Sequence, residues 1–341
     1  MKRLIRLAIA MLFAVFATFT GAVNPQTIEL KLSHWLPPSH PLMPATQAWA
    51  DAVGKSSGGA LKITVYPSEQ LGKTFDHYDM ARDGLAEITV ISPGFTPGRF
   101  PIANATALPF LIANGTDGSR AVDDWYRRYA ASEMKDTRYC LGYVHDPGAL
   151  HLTKKKVLVP DDMKGLKIRP GGGTVGAFIT LLGGSTVQAS PAEARQVMER
   201  GLADGITFPW GSTVLFKIDQ AAKFHMNVPL YTTHQMFMIN PAAYGRLNAT
   251  QKKALDDNCT IEQAYNVAKP WDDFEKGGLA RIRAQSGHEV YDLTADQLAL
   301  WRKAAVRMQE QWGETVKKVG GDPKAVMDDL TATLKKYNAG Y

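Results

Sequence analysis

The segment "KGLKIRPGGGTVGAF", Lys164 to Phe178, decides how the chain is read. It holds a literal G-x-G-x-x-G in Gly171, Gly173 and Gly176, behind a short apolar run and ahead of helix-like sequence. A dinucleotide site needs a strand, the glycine turn, a helix, and an acid at the end of the next strand. Glu193 lies about twenty residues on, as that fingerprint asks. However, Ser190-Pro191-Ala192-Glu193 reads as a capping box, with Ser as N-cap, Pro at the first helical position and Glu at the third. The preceding strand ends in Ala189-Ser190, with no acid for a ribose, and the first strand is cut to "LKI" by Arg169 and Pro170. These features argue against a nucleotide cradle and leave Arg169 as the group of interest. It stands at a strand end, where open α/β sheets bind ligands. A guanidinium grips carboxylate with two parallel hydrogen bonds. A surface ion pair would use the same residue, and chemistry alone leaves both readings open.

Strand and helix alternate on both sides of this segment. "IELKLSHW" and "ALKITVYP" carry apolar residues at every second position, Leu30 and Leu32 in one, Leu61, Ile63 and Val65 in the other. "PATQAWADAVGKSSGG" reads as a helix stopped by Gly58-Gly59. A helix through Phe75, Tyr78, Met80 and Leu85 precedes the strand "EITVIS" and the loop "PGFTPGRFP". Another carries Val122, Trp125, Tyr126 and Tyr129 ahead of the strand "RYCLGYVHDPG". After residue 164 the pattern restarts: "GLKIRP" and "STVQAS" as strands around the helix "TVGAFITLLGG", then a helix to Gly201 and the strand "DGITFP". Thr294 to Gln297 forms a second capping box, opening a helix through Leu298, Trp301, Val306 and Met308. The fold class is α/β, consistent with two similar lobes.

The N-terminus "MKRLIRLAIAMLFAVFATFTGA" has a basic head (Lys2, Arg3, Arg6), an apolar run from Leu7 to Phe19 and small residues to Ala22. Residues 1–22 read as a secretory signal peptide. The run is shorter than the ~20 residues of a spanning helix, and no Cys follows it to take a lipid. The formal charge of +6 loses three with that segment, 6 − 3 = +3. That leaves no basic field for nucleic acid, and Lys154-Lys155-Lys156 is a solvated turn. Cys140 and Cys259 face an oxidising compartment. They can pair, or both can be buried free thiols.

Catalytic signatures are missing: no H-E-x-x-H, G-x-S-x-G, C-x-x-C or EF-hand loop. The eight histidines show no metal-ligand spacing. Neither a metal nor a cofactor is expected, and a periplasmic enzyme would lack a nucleophile or base. "ADGITFPW" ends in Phe208, Pro209 and Trp210, apolar groups at a strand edge. They serve either as core or, beside an arginine at the neighbouring strand end, as walls of an apolar slot with one anionic anchor.

"VPDDMKGLKIRP", "LGGSTVQASPAEARQVMERGLADGITFPW" and "MINPAAYGRLNATQKKALDD" resemble the DctP-type solute-binding proteins of TRAP (tripartite ATP-independent periplasmic) transporters. "HWLPPSHPL", "YPSEQLGK" and "LPFL" match other stations of that family in the same order. The resemblance covers essentially the whole mature chain. It implies a monomeric, two-lobed periplasmic receptor, with a ligand cleft between the lobes and long C-terminal helices crossing between them. Lobe I would take residues 24–146, completed by about 235–280, and lobe II residues 147–233, completed by about 281–341. The receptor would close by a hinge on an organic acid and deliver it to a small and a large integral membrane subunit. A sensor kinase as recipient is the alternative.

The resemblance gives Arg169 the role of carboxylate clamp. Sugar-acid and dicarboxylate members often carry G-x-R before this motif, where "PGALHL" has Leu150 and then His151. They often carry Asn in D-G-x-x-N-P, where "DGITFP" has Phe208. Two polar contacts have become apolar, so the expected ligand is a monocarboxylate with an aromatic body. A branched or aliphatic 2-oxo or hydroxy acid is the rival. The candidate set is Arg169 as anchor, His151 as a hydrogen-bond donor, Phe208, Trp210 and Leu150 as one wall, and Trp35, Phe95 and His234 from the other side.

Overall fold

The computed structural model describes residues 27–341, so the predicted signal peptide lies outside the described residues. Period-two patterning builds the first sheet. In β1 (Ile28–Ser33) Leu30 and Leu32 are buried while Glu29 and Lys31 are exposed, and in β2 (Leu61–Tyr66) Leu61 and Ile63 are buried around an exposed Lys62. The helix between them, α1 (Leu42–Ser56), buries Leu42, Thr46, Trp49 and Val53 along one stripe, which lets it lie on the sheet as β1 and β2 pair in parallel. It stops ahead of Gly58 and Gly59, which both take the left-handed conformation. β3 (Ile88–Ile91) pairs with the other edge of β1, also in parallel.

The chain then passes between two sheets. β4 (Arg138–Val144) belongs to the first sheet, and after His145–Pro147 the chain continues as β5 (Gly148–Leu152) of the second. β6 (Lys167–Arg169), β7 (Ser185–Thr186) and β8 (Gly205–Phe208) extend the second sheet, and β9 (Phe224–Tyr231) completes the outward half. After Thr232 and Thr233 the chain returns as β10 (His234–Ile239), inserted antiparallel between β3 and β4. With β11 (Glu289–Tyr291) the strand orders are β2-β1-β3-β10-β4 and β11-β9-β5-β8-β6-β7. Each sheet carries a lobe, and two short segments, 145–147 and 232–233, join them. The α/β, two-lobed architecture expected from the sequence is the one observed.

Helices cover and tie the lobes. α2 (Gly115–Tyr126) packs on β4, α3 (Gly173–Leu181) follows β6, and the short α4 (Trp210–Leu215) follows β8. α5 (Ile261–Arg283) packs on α1 and α2 in the first lobe and on α4 in the second. A Cβ on Gly278 would lie 2.1 Å from the Gly211 nitrogen, so the α4–α5 contact requires glycine there. The Glu275 carboxylate, on the same helix, accepts hydrogen bonds from the Gly211 and Ser212 amides, the Ser212 hydroxyl and the Trp271 indole. It caps α4 by accepting from the free amides at the start of the helix. α6 (Ala295–Lys318) packs on α3, and its Trp312 Nε1 donates to the Pro101 carbonyl of the first lobe at 2.7 Å. α7 (Pro323–Lys336) packs on α2. The cysteines are paired: Cys140 in β4 is bonded to Cys259, just ahead of α5, inside the first lobe's core.

Two helical faces differ from their sequence reading. The helix read through Leu85 stops at Asp83, because Gly84 turns left-handed at φ +75°, and Leu85 is 65 % exposed. In α6 the buried stripe is Trp301, Ala304, Met308, Trp312 and Val316, which places Val306 on the solvent side at 56 % exposure.

Candidate functional site

Arg169 ends β6, whose parallel neighbour β8 ends at Phe208, so both side chains leave the second sheet at its carboxyl edge. Arg169 is 2 % exposed. Its Nε donates to the Ala189 carbonyl at 3.0 Å, and the Phe208 ring centroid lies 5.6 Å from its central carbon. Among the described residues no carboxylate forms an ion pair with it. Burial pulls it down to about 10, with the Tyr231 phenol and the Glu193 carboxylate acting in the opposite direction. The group therefore stays charged at neutral pH, as a buried cation without a counter-ion. Burial of this kind is costly unless an anion is supplied.

A cavity lies between the lobes, lined by Arg169, Gly171, Phe208 and Tyr231 from the second lobe and by Trp35, Phe95, His145 and Gln235 from the first. Trp271 of α5, Phe216 and His40 complete an aromatic wall. The rings meet edge to face: Trp35 and Phe95 at 5.6 Å, His145 and Tyr231 at 5.3 Å, His40 and Trp271 at 5.4 Å. Phe95 also touches Phe75 at 5.5 Å, and Phe95 and Arg169 are shared with an outer pocket of about 640 Å³.

The glycines of the quoted segment shape the closure of this cavity. A Cβ on Gly171 would fall 2.4 Å from the Tyr231 ring, so glycine lets that ring pack against the loop. Gly172 meets Gly94 of the opposite lobe, where an added Cβ would be 3.3 Å from the Gly94 Cα. Gly173 faces Pro97 in the same way, and the Thr174 hydroxyl donates to the Asn104 carbonyl at 3.2 Å. Two loops thus close over the mouth of the cleft.

Arg169, Phe208, Trp35 and Phe95 of the sequence-derived set line the cavity, and four others do not. His151 spends both ring nitrogens inside the sheet, Nδ1 against His225 Nδ1 at 2.8 Å and Nε2 donating to the Phe208 carbonyl at 3.0 Å. Burial holds it at about 4, so it is neutral. Trp210 turns away because Pro209 breaks the strand, and its indole stands edge-on to His151 at 5.0 Å and packs with Ala149 and Ile282. Leu150 lies in the main core beside Leu152 and Met226. His234 packs on Tyr126 at 5.1 Å, on the face of β10 opposite Gln235, because neighbouring strand residues point to opposite sides. The sequence reading did not select His40, His145, Phe216, Tyr231, Gln235 or Trp271. His145 opens one inter-sheet segment and Tyr231 borders the other, and that break in two strands was their only available signal.

Residues 32–319 match the family described as bacterial extracellular solute-binding protein, family 7 (DctP). The chain belongs to this family. Solved relatives share the whole fold. A TRAP solute-binding protein from Rhodoferax ferrireducens, in complex with copurified benzoate, is 27 % identical, with a TM-score of 0.85 over 92 % of this chain and 99 % of the other. One from Bordetella bronchiseptica with bound (R)- and (S)-mandelate is 28 % identical, with a TM-score of 0.84 over 91 % and 99 %. A marine metagenome protein specific for aromatic acid ligands, co-crystallised with 3-hydroxybenzoate, is 27 % identical, with a TM-score of 0.84 over 92 % and 99 %. This DctP-type protein is thus a TRAP solute receptor, of a family that serves transport.

Proposed function

We propose that this receptor binds an aromatic monocarboxylate in the periplasm and delivers it to the membrane subunits of a TRAP transporter, without chemical change. Arg169 carries the reading: a buried guanidinium with no carboxylate partner, set against an aromatic slot, is a site for one carboxylate on one ring. Benzoate and mandelate in two relatives support the same class. Phe208 and Tyr231 hold the ring from the second lobe, and Trp35 and Phe95 cover it from the first. The hinge of closure is segments 145–147 and 232–233, which divide the chain into lobes at 24–146 and 147–233.

Thermal shift of the purified protein against aromatic monocarboxylates, dicarboxylates, sugar acids and aliphatic 2-oxo acids tests this. The expected result is a rise in Tm with aromatic monocarboxylates alone, reduced more for them than for aliphatic acids by Phe208→Asn. A rise confined to dicarboxylates or sugar acids would keep the receptor role and overturn the aromatic ligand.

A further inference from the structure

Behind the cavity wall, His151, His225 and His288 form one hydrogen-bonded row whose direction is fixed at both ends. His151 of β5 lies cross-strand from His225 of β9 on one side and Ile206 of β8 on the other, and Ile206 pairs with Arg169 of β6. The row therefore runs along one face of the second sheet, outward from the arginine. His151 Nε2 lies 3.0 Å from the Phe208 carbonyl, which only accepts, so that nitrogen carries the proton and Nδ1 accepts. His225 Nδ1, at 2.8 Å, must then donate to it, and His225 Nε2 accepts from His288 Nδ1 at 3.0 Å. At the far end Lys223 Nζ, which only donates, lies 3.3 Å from His288 Nε2. Carbonyl and ammonium demand the same order, so each ring takes one tautomer and no link is unmatched. Burial keeps the rings neutral. It holds His151 at about 4 and His225 at about 2, and it lowers His288 together with Lys223, against Asp219.

The row ends on the turn that carries Phe208. His151 donates to the carbonyl of Phe208, and its ring stands edge-on to the Trp210 indole at 5.0 Å. The same indole meets His225 at 6.1 Å. Pro209, between the two held residues, has no amide with which to fix the turn itself. Phe208 in turn sets its ring 5.6 Å from the central carbon of the Arg169 guanidinium, in the cavity wall. A fully satisfied buried polar network rigidifies what it holds. We propose that His151 is a positioning residue of the ligand slot: locked in one tautomer by the row from Lys223, it clamps the Phe208 backbone and so aims the Phe208 ring at the ligand. This rests on the aromatic-acid reading above and adds a cause for the placement of that ring. His151 does not line the cavity, so its effect on binding must pass through Phe208.

Nitrogen NMR of the imidazoles in the unmutated protein reads the tautomers directly. Nε2–H is expected in His151, and Nδ1–H in His225 and His288. An Nδ1–H form of His151 would remove the donor and overturn the proposal, whatever any variant does. Calorimetric titration with benzoate, in protein freed of retained ligand, reads the consequence. His151→Leu keeps bulk but cannot donate, and it should weaken benzoate binding about 3–10-fold. His151→Gln carries an amide N–H for the same carbonyl and should recover most of that loss. In a Phe208→Ala background the His151→Leu loss should shrink to within about twofold, since the ring it aims is gone. Unaltered affinity in His151→Leu, or the same loss with and without the Phe208 ring, would refute the positioning role and leave the aromatic reading standing. If the unmutated protein bound no aromatic acid while melting normally, that reading would fall and the positioning role with it.

Discussion

Arg169→Ala removes the only guanidinium that the described residues bring to the cavity wall and would leave a bound carboxylate without its partner. Such truncations cost about 2–5 kcal/mol of binding, so affinity should fall by at least an order of magnitude. Lysine should restore only part of it, since an ammonium cannot offer two parallel donors. The ligand-free protein should not lose stability in Arg169→Ala and can gain some, because an unpaired buried cation is a cost to the fold, a cost that lysine would keep. Titration calorimetry and melting curves together check both signs, and unaltered affinity in Arg169→Ala would remove it from the site. Arg169 and Phe208 were legible because each ends a strand whose apolar pattern is plain, and strand ends are where such sites form. Trp35 and Phe95 follow strands β1 and β3 in the same manner. His151 and Trp210 misled for a local reason: one faces a cross-strand histidine, and the other lies beyond a proline that redirects the chain.

At the scale of elements, the contact between the loops that carry Gly94 and Gly172 makes a separable prediction. Gly172 has φ 176°, an extended conformation open to any residue, so a side chain there does not strain the loop itself. Its Cβ would press on the Gly94 Cα only when the lobes are closed. Gly172→Val should therefore leave the melting temperature of the ligand-free protein near that of the parent. Its overpacking in the closed state, about 1–3 kcal/mol, should appear as weaker ligand binding. Equal affinity in the two proteins would show that this contact is not part of closure. The alternating strands and both capping boxes were readable in sequence, since Thr294 and Gln297 exchange the bonds that their spacing implies, at 2.9 and 3.2 Å. The long helix α5 was not, with Pro270 inside it and its apolar residues divided between two lobes. Trp271 therefore arrived in the cavity wall from a part of the chain with no local mark of the site.

For the whole molecule, buried ionisable groups set the dependence of stability on pH. Burial holds His40 at about 3, His145 and His151 at about 4 and His225 at about 2, all below 6.5, the value expected for an exposed ring. Between those values and 6.5 the unfolded chain binds more protons than the folded one, so these groups make stability rise with pH across that window. Buried carboxyls act in the opposite sense, Asp123 and Glu133 among them, both raised by burial. Burial raises Glu275 to about 7, outweighing the hydrogen bonds it accepts, and burial together with the neighbouring Asp272 raises Asp146 to about 8. Their stabilisation is complete below their unfolded values, 4.5 and 3.8, and is lost as pH rises through about 7 and about 8. The histidines, joined by His34, His77 and His234, outweigh the raised carboxyls in acid, and the carboxyls prevail once the histidines are neutral in both states. The ligand-free protein should therefore gain stability from about pH 4 to about 6.5, reach a maximum near neutrality and decline gently above it. Melting temperature recorded across that range checks the shape, and Glu275→Gln should steepen the ascending limb above about pH 4.5 while leaving the descent between about 7 and 8, which belongs to Asp146. A profile without slope on the acid side would mean that the histidines are not held neutral. Asp146 lies in one inter-sheet segment, so the descending limb would report on a segment that joins the lobes.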